Sequence, residues 1–303
     1  MIEFEAAVST RQASELLGVH ESSIKRWCNS DLLEYWSTPG GHRRIPIQAL
    51  LTYAQSAKLA FALDPFGSEA GKVWDGTEKA TDGGSFEPLV KLFFEWTIQR
   101  KPNHLIELLA WLKKSGFSAA ELADGLIAPV MARVGKEYAE GKLSIGDEHR
   151  MTGVIRDALI GWCLTAAKQP NQYENVAIVG CARAEVHELG ALMVRKVLEE
   201  SGWTVVYLGL NVPTEEFADQ QVKHRASLVC ISMTPPAGKA EAQTIISLLD
   251  RMYSSQIPYR LALGGGAARP EDRAASDQHS FVELGFFQSL DPFYSWFQTS
   301  HKP

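Results

Sequence analysis

The stretch Glu185-Val186-His187-Glu188-Leu189-Gly190 lies between an apolar run at residues 175–180 and a helix-like run at residues 191–201. The apolar run predicts a β-strand, which places His187 at the carboxyl end of that strand. Ligands bind at this rim in open α/β sheets, because backbone groups and loop side chains converge there. A neutral imidazole on the rim can bind a metal centre with one ring nitrogen while a carboxylate such as Glu185 orients the ring. Taken alone, the stretch is also typical of an ordinary polar loop.

The chain from residue 175 onward alternates predicted strands and helices. Its strands are continuous apolar runs, as expected when helices cover both faces of a parallel sheet. The predicted strands span residues 176–180, 204–210, 227–232, 260–265 and 281–284, and the last helix lies near residues 287–297. We therefore predict a doubly wound, flavodoxin-like α/β domain at residues 171–303.

Two more loops should lie at the same rim of this sheet. Ser232-Met233-Thr234-Pro235 follows the third strand, and Gly264-Gly265-Gly266 follows the fourth. Glycines allow a large ligand to approach the backbone closely, and a serine after a strand can hydrogen-bond to that ligand. With Gly190 at the end of the first loop, the three loops together predict a long ligand slot.

Residues 87–170 show helical periodicity almost throughout, interrupted by one proline and two glycines. Apolar residues recur every three or four positions in each of the four resulting segments. This pattern predicts a four-helix bundle that precedes the α/β domain.

Residues 1–57 form a further predicted module, made of short helices. A first helix ends at Gly18-Val19, and residues 21–29 start a second helix. The stretch Thr38-Pro39-Gly40-Gly41-His42-Arg43-Arg44-Ile45 then holds two glycines that can turn tightly, followed by three nitrogen-bearing side chains. This order predicts a helix-turn-helix followed by a wing.

The module resembles the winged helix-turn-helix of the MerR and excisionase families, most specifically in the stretch just quoted. In those families the second helix enters the major groove of double-stranded DNA and the wing contacts the backbone or the minor groove. The resemblance implies DNA contacts from Ser22, Ser23, Lys25 and Arg26 on the helix and from His42, Arg43 and Arg44 on the wing. Arginines would bind phosphates, while the serines and Lys25 would read bases. The alternative is a small domain with solvated charges, since residues 1–57 hold five Lys and Arg residues against six Asp and Glu residues.

Residues 58–86 differ in composition from the modules on either side. Between residues 64 and 85 the sequence is rich in Gly, Ser, Asp and Lys, and its large apolar residues are Phe66, Val73 and Trp74. Such a composition is typical of a flexible connector. We therefore predict that the helix-turn-helix module is tethered rather than packed.

The overall composition argues against a basic nucleic-acid coat protein, a zinc-knuckle protein and a secreted or membrane protein. With 303 residues, 45% of them hydrophobic, the chain can bury two or three domain cores. Its formal charge of -6 argues against a globally basic nucleic-acid coat. The four cysteines include no C-x-x-C pair, which indicates reduced thiols rather than a zinc knuckle. No apolar run approaches about 18 residues, so we expect a cytoplasmic protein without a signal peptide or a membrane span.

A helical bundle followed by a flavodoxin-like domain with E-x-H-x-x-G after its first strand resembles the cobalamin-binding module of methionine synthase and its relatives. The resemblance covers roughly residues 87–290. It implies that His187 replaces the cofactor's own dimethylbenzimidazole as the lower axial ligand of cobalt. Glu185, where methionine synthase has Asp, would hydrogen-bond to this imidazole. The displaced nucleotide tail would enter the slot beside Ser232, Thr234, Gly264 and Gly265.

In related members an aromatic residue, nine intervening residues and Glu-His form a cap over the upper face of cobalt. Tyr138, Glu148 and His149 keep this spacing, although composition alone would make Tyr138 an ordinary core aromatic residue. The aromatic residue is usually tryptophan in that family, and light-sensing members have a histidine at the position of Ala139. Because Ala139 cannot bind cobalt, these two departures affect the photochemical end state more than cobalamin binding.

With the winged helix in front, the whole chain resembles the CarH-type light-sensing repressors, which bind adenosylcobalamin and DNA. The resemblance implies a regulator that in the dark sits on an operator as a homo-oligomer, a dimer or a tetramer. Light would break the cobalt–carbon bond, and the oligomer would dissociate and release DNA. Two alternatives stay open: a light-independent sensor of cobalamin or of a different or additional tetrapyrrole, and a corrinoid carrier for methyl transfer. No nucleophile–base pair or carboxylate dyad is evident, so we do not predict an enzyme.

Overall fold

The computed structural model describes residues 6–165, 175–235, 239–269 and 279–299. The chain divides into two units, Met1–Ser115 and Gly116–Pro303. The domain boundary predicted at residues 170 and 171 lies outside the described residues. Within the described ranges, none of the helices combines the length and the apolar character that crossing a membrane requires.

The first unit begins with a winged helix-turn-helix. Its helices are α1 (Thr10–Leu17), α2 (Glu21–Asn29) and α3 (Ile47–Ala57), and its strands are β1 (Ala7–Val8), β2 (Trp36–Ser37) and β3 (Arg43–Pro46). The strands pair antiparallel in the order β1-β3-β2. Gly18 ends α1 in the left-handed conformation, at φ +63°, which turns the chain into α2. In the wing turn, Gly41 N donates to Thr38 O at 2.8 Å. The predicted helix-turn-helix and two-glycine turn are therefore confirmed.

Residues 58–86 are not the flexible connector that their composition predicts. A 3₁₀ turn at Asp64–Glu69 leads into helix α4 (Ala70–Gly83). One face of α4 is buried, and small residues form most of it: Ala70, Val73, Gly76, Thr77 and Ala80. These residues follow helical spacing, so they form a continuous packing face. The prediction of a tether is wrong because it counted only large apolar residues.

The four helical segments predicted for residues 87–170 are present, but they belong to different units. Helices α5 (Glu87–Ile98) and α6 (Pro102–Lys114) lie in the first unit. The second unit starts with α7 (Ala119–Leu122), a π-helical segment (Ala123–Ile127), α8 (Ala128–Ala139) and α9 (Ile145–Thr165). The indole of Trp111 in α6 donates a hydrogen bond to Thr77 Oγ1 in α4 at 2.9 Å. The first two segments therefore pack with the supposed connector, and a domain boundary at residue 87 stays a prediction.

A five-stranded parallel sheet forms the rest of the second unit. Its strands are β4 (Val176–Cys181), β5 (Thr204–Gly209), β6 (Leu228–Ser232), β7 (Arg260–Gly264) and β8 (Leu284–Phe287). Its helices are α10 (Leu189–Glu200), α11 (Thr214–His224), α12 (Lys239–Arg251) and α13 (Leu290–Thr299). The strand order β5-β4-β6-β7-β8 is the flavodoxin-like order, and the predicted doubly wound fold is confirmed.

The last strand lies three residues later than predicted. Leu284–Phe287 pairs with Leu261–Gly264 of β7, and residues 281–283 precede the strand. Phe281 is buried instead against aromatic rings, with its centroid 5.3 Å from that of Tyr259. The apolar signal of Phe281 thus comes from packing at a loop rather than from strand pairing.

One hydrophobic core lies between the sheet and helices α11 and α12. Ile178, Val229 and Ile231 of the central strands pack there with Phe217 of α11 and Leu249 of α12. Because the central strands are covered on this face, their ligand-binding end is held rigidly. The loops that follow β4, β6 and β7 therefore extend from a fixed base.

Candidate functional site

The loop after β4 brings Glu185 and His187 into direct contact at the rim of the sheet. Oε1 of Glu185 accepts two hydrogen bonds from His187, one from the backbone N at 2.8 Å and one from Nδ1 at 2.7 Å. The Glu185 side chain is 6% exposed, whereas the His187 side chain is 65% exposed. An ionised carboxylate only accepts hydrogen bonds, so Nδ1 carries the proton and the lone pair belongs to Nε2. This is the arrangement in which a histidine binds a metal through Nε2.

Thr234 holds the other oxygen of the same carboxylate. Its backbone N and its Oγ1 both donate to Glu185 Oε2, each at 2.6 Å. Oγ1 also lies 3.1 Å from His187 Nδ1. Burial raises the pKa of Glu185, but hydrogen bonds from Thr234 and His187 outweigh burial and hold that pKa below its usual value. Glu185 is therefore ionised at neutral pH and fixes the imidazole.

A thiol lies directly beneath the histidine loop. Cys181 Sγ is 3.7 Å from the carbonyl oxygen of His187. Burial, with smaller effects of Glu185 and Glu188, raises the pKa of the Cys181 thiol to about 12. The protonated thiol packs under the loop, and it is a poor metal ligand because the thiolate is the binding form.

A cavity of about 370 Å³ opens beside His187 at the carboxyl ends of β4, β6 and β7. This rim contains the switch in strand order between β4 and β6, where ligands bind in folds of this type. Seven residues predicted from the sequence line the cavity: Glu148, His187, Gly190, Ser232, Thr234, Gly264 and Gly265. Their roles as cofactor contacts stay predictions, but the fold brings them to one place.

Two glycines allow the elements around the cavity to pack closely. A Cβ on Gly190 would lie 3.3 Å from Ser232 Oγ, which is a tight contact. A Cβ on Gly265 would collide with the carbonyl oxygen of Met233, and Gly265 has a φ of +99° that disfavours side chains. The glycines therefore let the loops after β6 and β7 approach each other and α10.

The structure also brings charged residues to the cavity that the sequence analysis missed. Arg156 of α9 and Glu188 both line it, and Nε of Arg156 donates a hydrogen bond to Glu188 Oε1. Glu148, Thr152 and Arg156 are spaced four residues apart, which places them on one face of α9. That spacing is the signal that could have identified Arg156.

Tyr138 and His149 do not line this cavity. Tyr138, near the end of α8, is 44% exposed, and the His149 side chain, near the start of α9, is 71% exposed. His149 Nε2 lies 3.6 Å from Oε2 of the neighbouring Glu148. The interpretation of Tyr138 as a core aromatic residue is therefore wrong, since the α8–α9 corner leaves its ring in solvent.

Helix α2 exposes most of the predicted DNA-contacting residues. Ile24 and Cys28 are buried, so the opposite face, with Ser22, Lys25 and Arg26, is exposed. Ser23 is half-buried. The helix starts at a cap in which His20 Nδ1 accepts a hydrogen bond from Ser22 N. Lys25 Nζ lies 2.9 Å from Glu21 Oε1, and this pair reduces the local positive charge.

The wing arginines point to opposite sides of β3. Arg43 Nη2 donates to Asn29 Oδ1 at 2.6 Å and Nη1 donates to Lys25 O at 3.3 Å, so Arg43 holds the wing against α2. Arg44 borders an open cleft together with Asp75 and Glu78 of α4. His42 is exposed in the turn. The predicted residues therefore do not form one uniform basic face.

Comparisons with known families match three stretches of the chain. A helix-turn-helix domain model matches residues 7–58, and two B12 binding domain models match residues 94–160 and 175–282. The HTH-type transcriptional repressor CarH of Myxococcus xanthus is 25% identical over 146 residues, 48% of this chain and 47% of that protein. The HTH-type transcriptional repressor CarA of the same organism is 25% identical over 151 residues, 50% of this chain and 49% of that protein. The chain thus spans about half the length of the curated relatives it matches.

The fold is also similar to that of a solved structure, the monomethylamine corrinoid protein of Methanosarcina barkeri. The TM-score is 0.53 at 14% identity, and the match covers 69% of this chain and 96% of that protein. At this identity the likeness shows the fold alone. In its domain content the chain has a helix-turn-helix domain followed by two stretches that match B12 binding domains, the first helical and the second in the α/β part.

Proposed function

We propose that the protein is a transcriptional regulator, in the simplest case a repressor, whose binding to double-stranded DNA is controlled by bound adenosylcobalamin and its photolysis. The observation that carries the proposal is the hydrogen-bonded series Thr234–Glu185–His187, which presents an imidazole Nε2 at the rim of a cavity. It occurs in a chain that also carries a winged helix-turn-helix. A cofactor site and a DNA-binding module in one chain support ligand-controlled DNA binding.

The residues at the rim fit a corrinoid cofactor. His187 would bind cobalt through Nε2, and the cavity between Gly190, Ser232 and Gly264 would hold the nucleotide tail. The ionised Glu185 would keep the imidazole oriented and strengthen it as a ligand. Glu148, which lines the cavity, would contact the cofactor as well. Tyr138 and His149 lie outside the cavity and are kept as proposed contacts. When bound, adenosylcobalamin supplies a cobalt–carbon bond that light can cleave.

DNA binding would come from the first unit. Arg26 and His42 are exposed for contacts to phosphates, and Ser22 is exposed on the face of α2 that would enter the major groove. One module of this size offers few contacts, so a dimer or a tetramer of the chain would multiply weak contacts into useful affinity. Loss of the oligomer would therefore release DNA.

The helix-turn-helix domain favours a regulator over a corrinoid carrier for methyl transfer, because methyl transfer requires no DNA-binding domain. A light-independent sensor of cobalamin, or of another tetrapyrrole, uses the same site. Light control is the part of the proposal that depends on Tyr138 and Ala139, where the light-sensing members differ.

The test uses the full chain with adenosylcobalamin, prepared in the dark. We expect a His-ligated cobalamin absorption spectrum, a spectral change on green light, and a change in elution volume and in affinity for a DNA fragment selected from a random pool. His187→Ala should lose the His-ligated spectrum. An unchanged spectrum in His187→Ala would refute His187 as the cobalt ligand. A DNA affinity that changes with neither cofactor nor light would refute the proposed regulation.

A further inference from the structure

A second polar cluster, formed by Glu188, Arg156 and Tyr207, lies beside His187. It takes no part in the hydrogen bonds that orient the imidazole. Glu188 follows His187 directly in the chain, and only 10% of its side chain is exposed. Its Oε1 accepts a hydrogen bond from Nε of Arg156 in α9. Its Oε2 accepts one from the hydroxyl of Tyr207 in β5 at 3.1 Å. One carboxylate thus joins the helical part of the unit, the sheet and the histidine loop.

Arg156 and Tyr207 together satisfy the buried carboxylate of Glu188. A buried carboxylate is costly unless it is paired and hydrogen-bonded, so Glu188 needs donors at both oxygens. Tyr207 belongs to a strand that pairs with β4, so the hydroxyl is fixed to the same sheet from which the histidine loop extends. Arg156 is the only member that comes from the helical part. Its contact therefore ties α9 directly to the histidine loop.

Helix α9 forms one wall of the cavity. Glu148, Thr152 and Arg156 line it from successive turns of one helix face, and Thr152 Oγ1 donates to Glu148 Oε1 at 2.8 Å. The loop with His187 and Glu188 forms the facing wall. The contact between Arg156 and Glu188 is a charged bridge between these walls, one residue away from the imidazole.

We propose that Arg156 and Glu188 are positioning residues, which hold the α9 wall at a fixed distance from the His187 loop so that cobalamin is bound with His187 as its ligand. This inference rests on the proposed cofactor site. Neither residue needs to touch cobalt, because both act through the position of the walls. Tyr207 supports the pair by fixing the second oxygen of Glu188 to the sheet.

The test compares Arg156→Gln, Glu188→Gln and the double variant with the wild-type chain. Binding of adenosylcobalamin in the dark is titrated by absorbance, and the share of His-ligated cofactor is read from the spectrum. We expect each single variant to weaken binding about tenfold and to shift the spectrum toward cofactor without a protein ligand. The double variant should be no weaker than the singles, because both remove the same interaction. Arg156→Lys, which keeps the charge, should restore part of the affinity and the spectrum.

Arg133→Gln is the matched control. It removes another arginine–glutamate pair of the helical part, Arg133 with Glu137 at 3.2 Å on α8. Neither Arg133 nor Glu137 lines the cavity. Melting followed by circular dichroism reports folding of every variant, and Tyr207→Phe provides a milder change if Arg156→Gln does not fold. Wild-type affinity and spectrum in folded Glu188→Gln and Tyr207→Phe would overturn the positioning role. A wild-type spectrum in His187→Ala would instead overturn the proposed ligand.

Discussion

Thr234 donates both its backbone N–H and its hydroxyl to one oxygen of Glu185, each at 2.6 Å, although the two residues are 49 positions apart. The loop after β6 therefore sets the orientation of a carboxylate in the loop after β4. His187 takes its orientation from the other oxygen of that carboxylate, at 2.7 Å from Nδ1. The direction of the imidazole is thus fixed by two adjacent strands rather than by its own loop alone.

We first expect a graded loss of cobalamin binding in variants of this series. Glu185→Ala should lower the affinity for cobalamin about 10–100-fold, because it removes the group that orients the ligand. Thr234→Val should lower it less, since the backbone N–H still binds Glu185. Thr234→Ser, which keeps the hydroxyl, is the control. Absorbance titration with cobalamin measures the affinity of each variant. Equal affinities of Thr234→Val and Thr234→Ser would contradict the predicted ranking.

The sequence could predict the site because its residues follow strands. His187, Thr234 and Gly265 each come just after a continuous apolar run, and parallel strands bring such loops to one rim. The pairing of Arg156 with Glu188 could not be predicted, because it depends on how a helix lies against the sheet. Helix α4 was missed because Gly76 and its small neighbours bury little apolar area, although they permit close packing.

Close packing of α4 predicts a specific intolerance at Gly76. A Cβ there would lie 2.5 Å from Cδ2 and 2.8 Å from Cγ of Leu89, a fully buried residue of α5. Gly76→Val should therefore destabilise the protein by about 1–3 kcal/mol, although valine favours helix more than glycine does. Gly83→Ala is the control in the same helix, since its Cβ would meet no atom within 4 Å.

Thermal or urea unfolding of the two variants decides this point. The glycine at position 83 should tolerate alanine with little change, whereas Gly76→Val should lower the midpoint and speed proteolysis within residues 70–83. Equal stability of both variants would mean that α4 does not pack against α5 in solution.

Substitution of Arg26 should affect DNA binding alone, whereas substitution of Arg43 should affect both DNA binding and stability. Arg26 is exposed on α2, so Arg26→Ala should weaken DNA binding and lower the salt slope of the affinity by about 1 without altering stability. Arg43→Ala should also lower the unfolding midpoint, because Arg43 joins the wing to Asn29 of α2. Fluorescence anisotropy at several salt concentrations, together with unfolding curves, separates the two effects. Identical stability of both variants would contradict the structural role of Arg43.

Glu78 provides a pH-dependent test of the packing of α4. Burial, together with the charge of Asp82, raises the pKa of Glu78 above its usual value of 4.5. The folded state thus favours the protonated form, so stability falls as the pH rises through the usual pKa and the raised folded pKa. Glu78→Gln should raise the melting temperature at pH 7 by about 1 °C. The gain should vanish well below pH 4.5, where the carboxyl is protonated in both states.

A comparison with Glu21 checks the sign of this effect. Hydrogen bonds from Thr10 and Lys25 lower the pKa of Glu21, so the folded state favours its charged form. Glu21→Gln should therefore lower the melting temperature at pH 7, opposite to Glu78→Gln. The same sign for both variants would contradict the assigned environments.

Substitutions at Gly190 distinguish effects on the stability of the cofactor-free protein from effects on cobalamin affinity. A Cβ at this position would point toward Ser232 Oγ at 3.3 Å, inside the cavity beside His187. Because alanine favours helix over glycine and Gly190 lies in the first turn of α10, Gly190→Ala should leave the stability of the cofactor-free protein equal or higher by up to about 1 kcal/mol. The added methyl group should nevertheless lower cobalamin affinity, and the larger Gly190→Val should abolish it. Ser232→Ala removes the hydroxyl that the added methyl group would contact, so the double variant Gly190→Ala/Ser232→Ala is compared with Ser232→Ala alone. An affinity of the double variant below that of Ser232→Ala assigns the loss to the methyl group in the cavity rather than to strain at Ser232. Wild-type cobalamin affinity in Gly190→Val would show that the nucleotide tail does not enter this cavity.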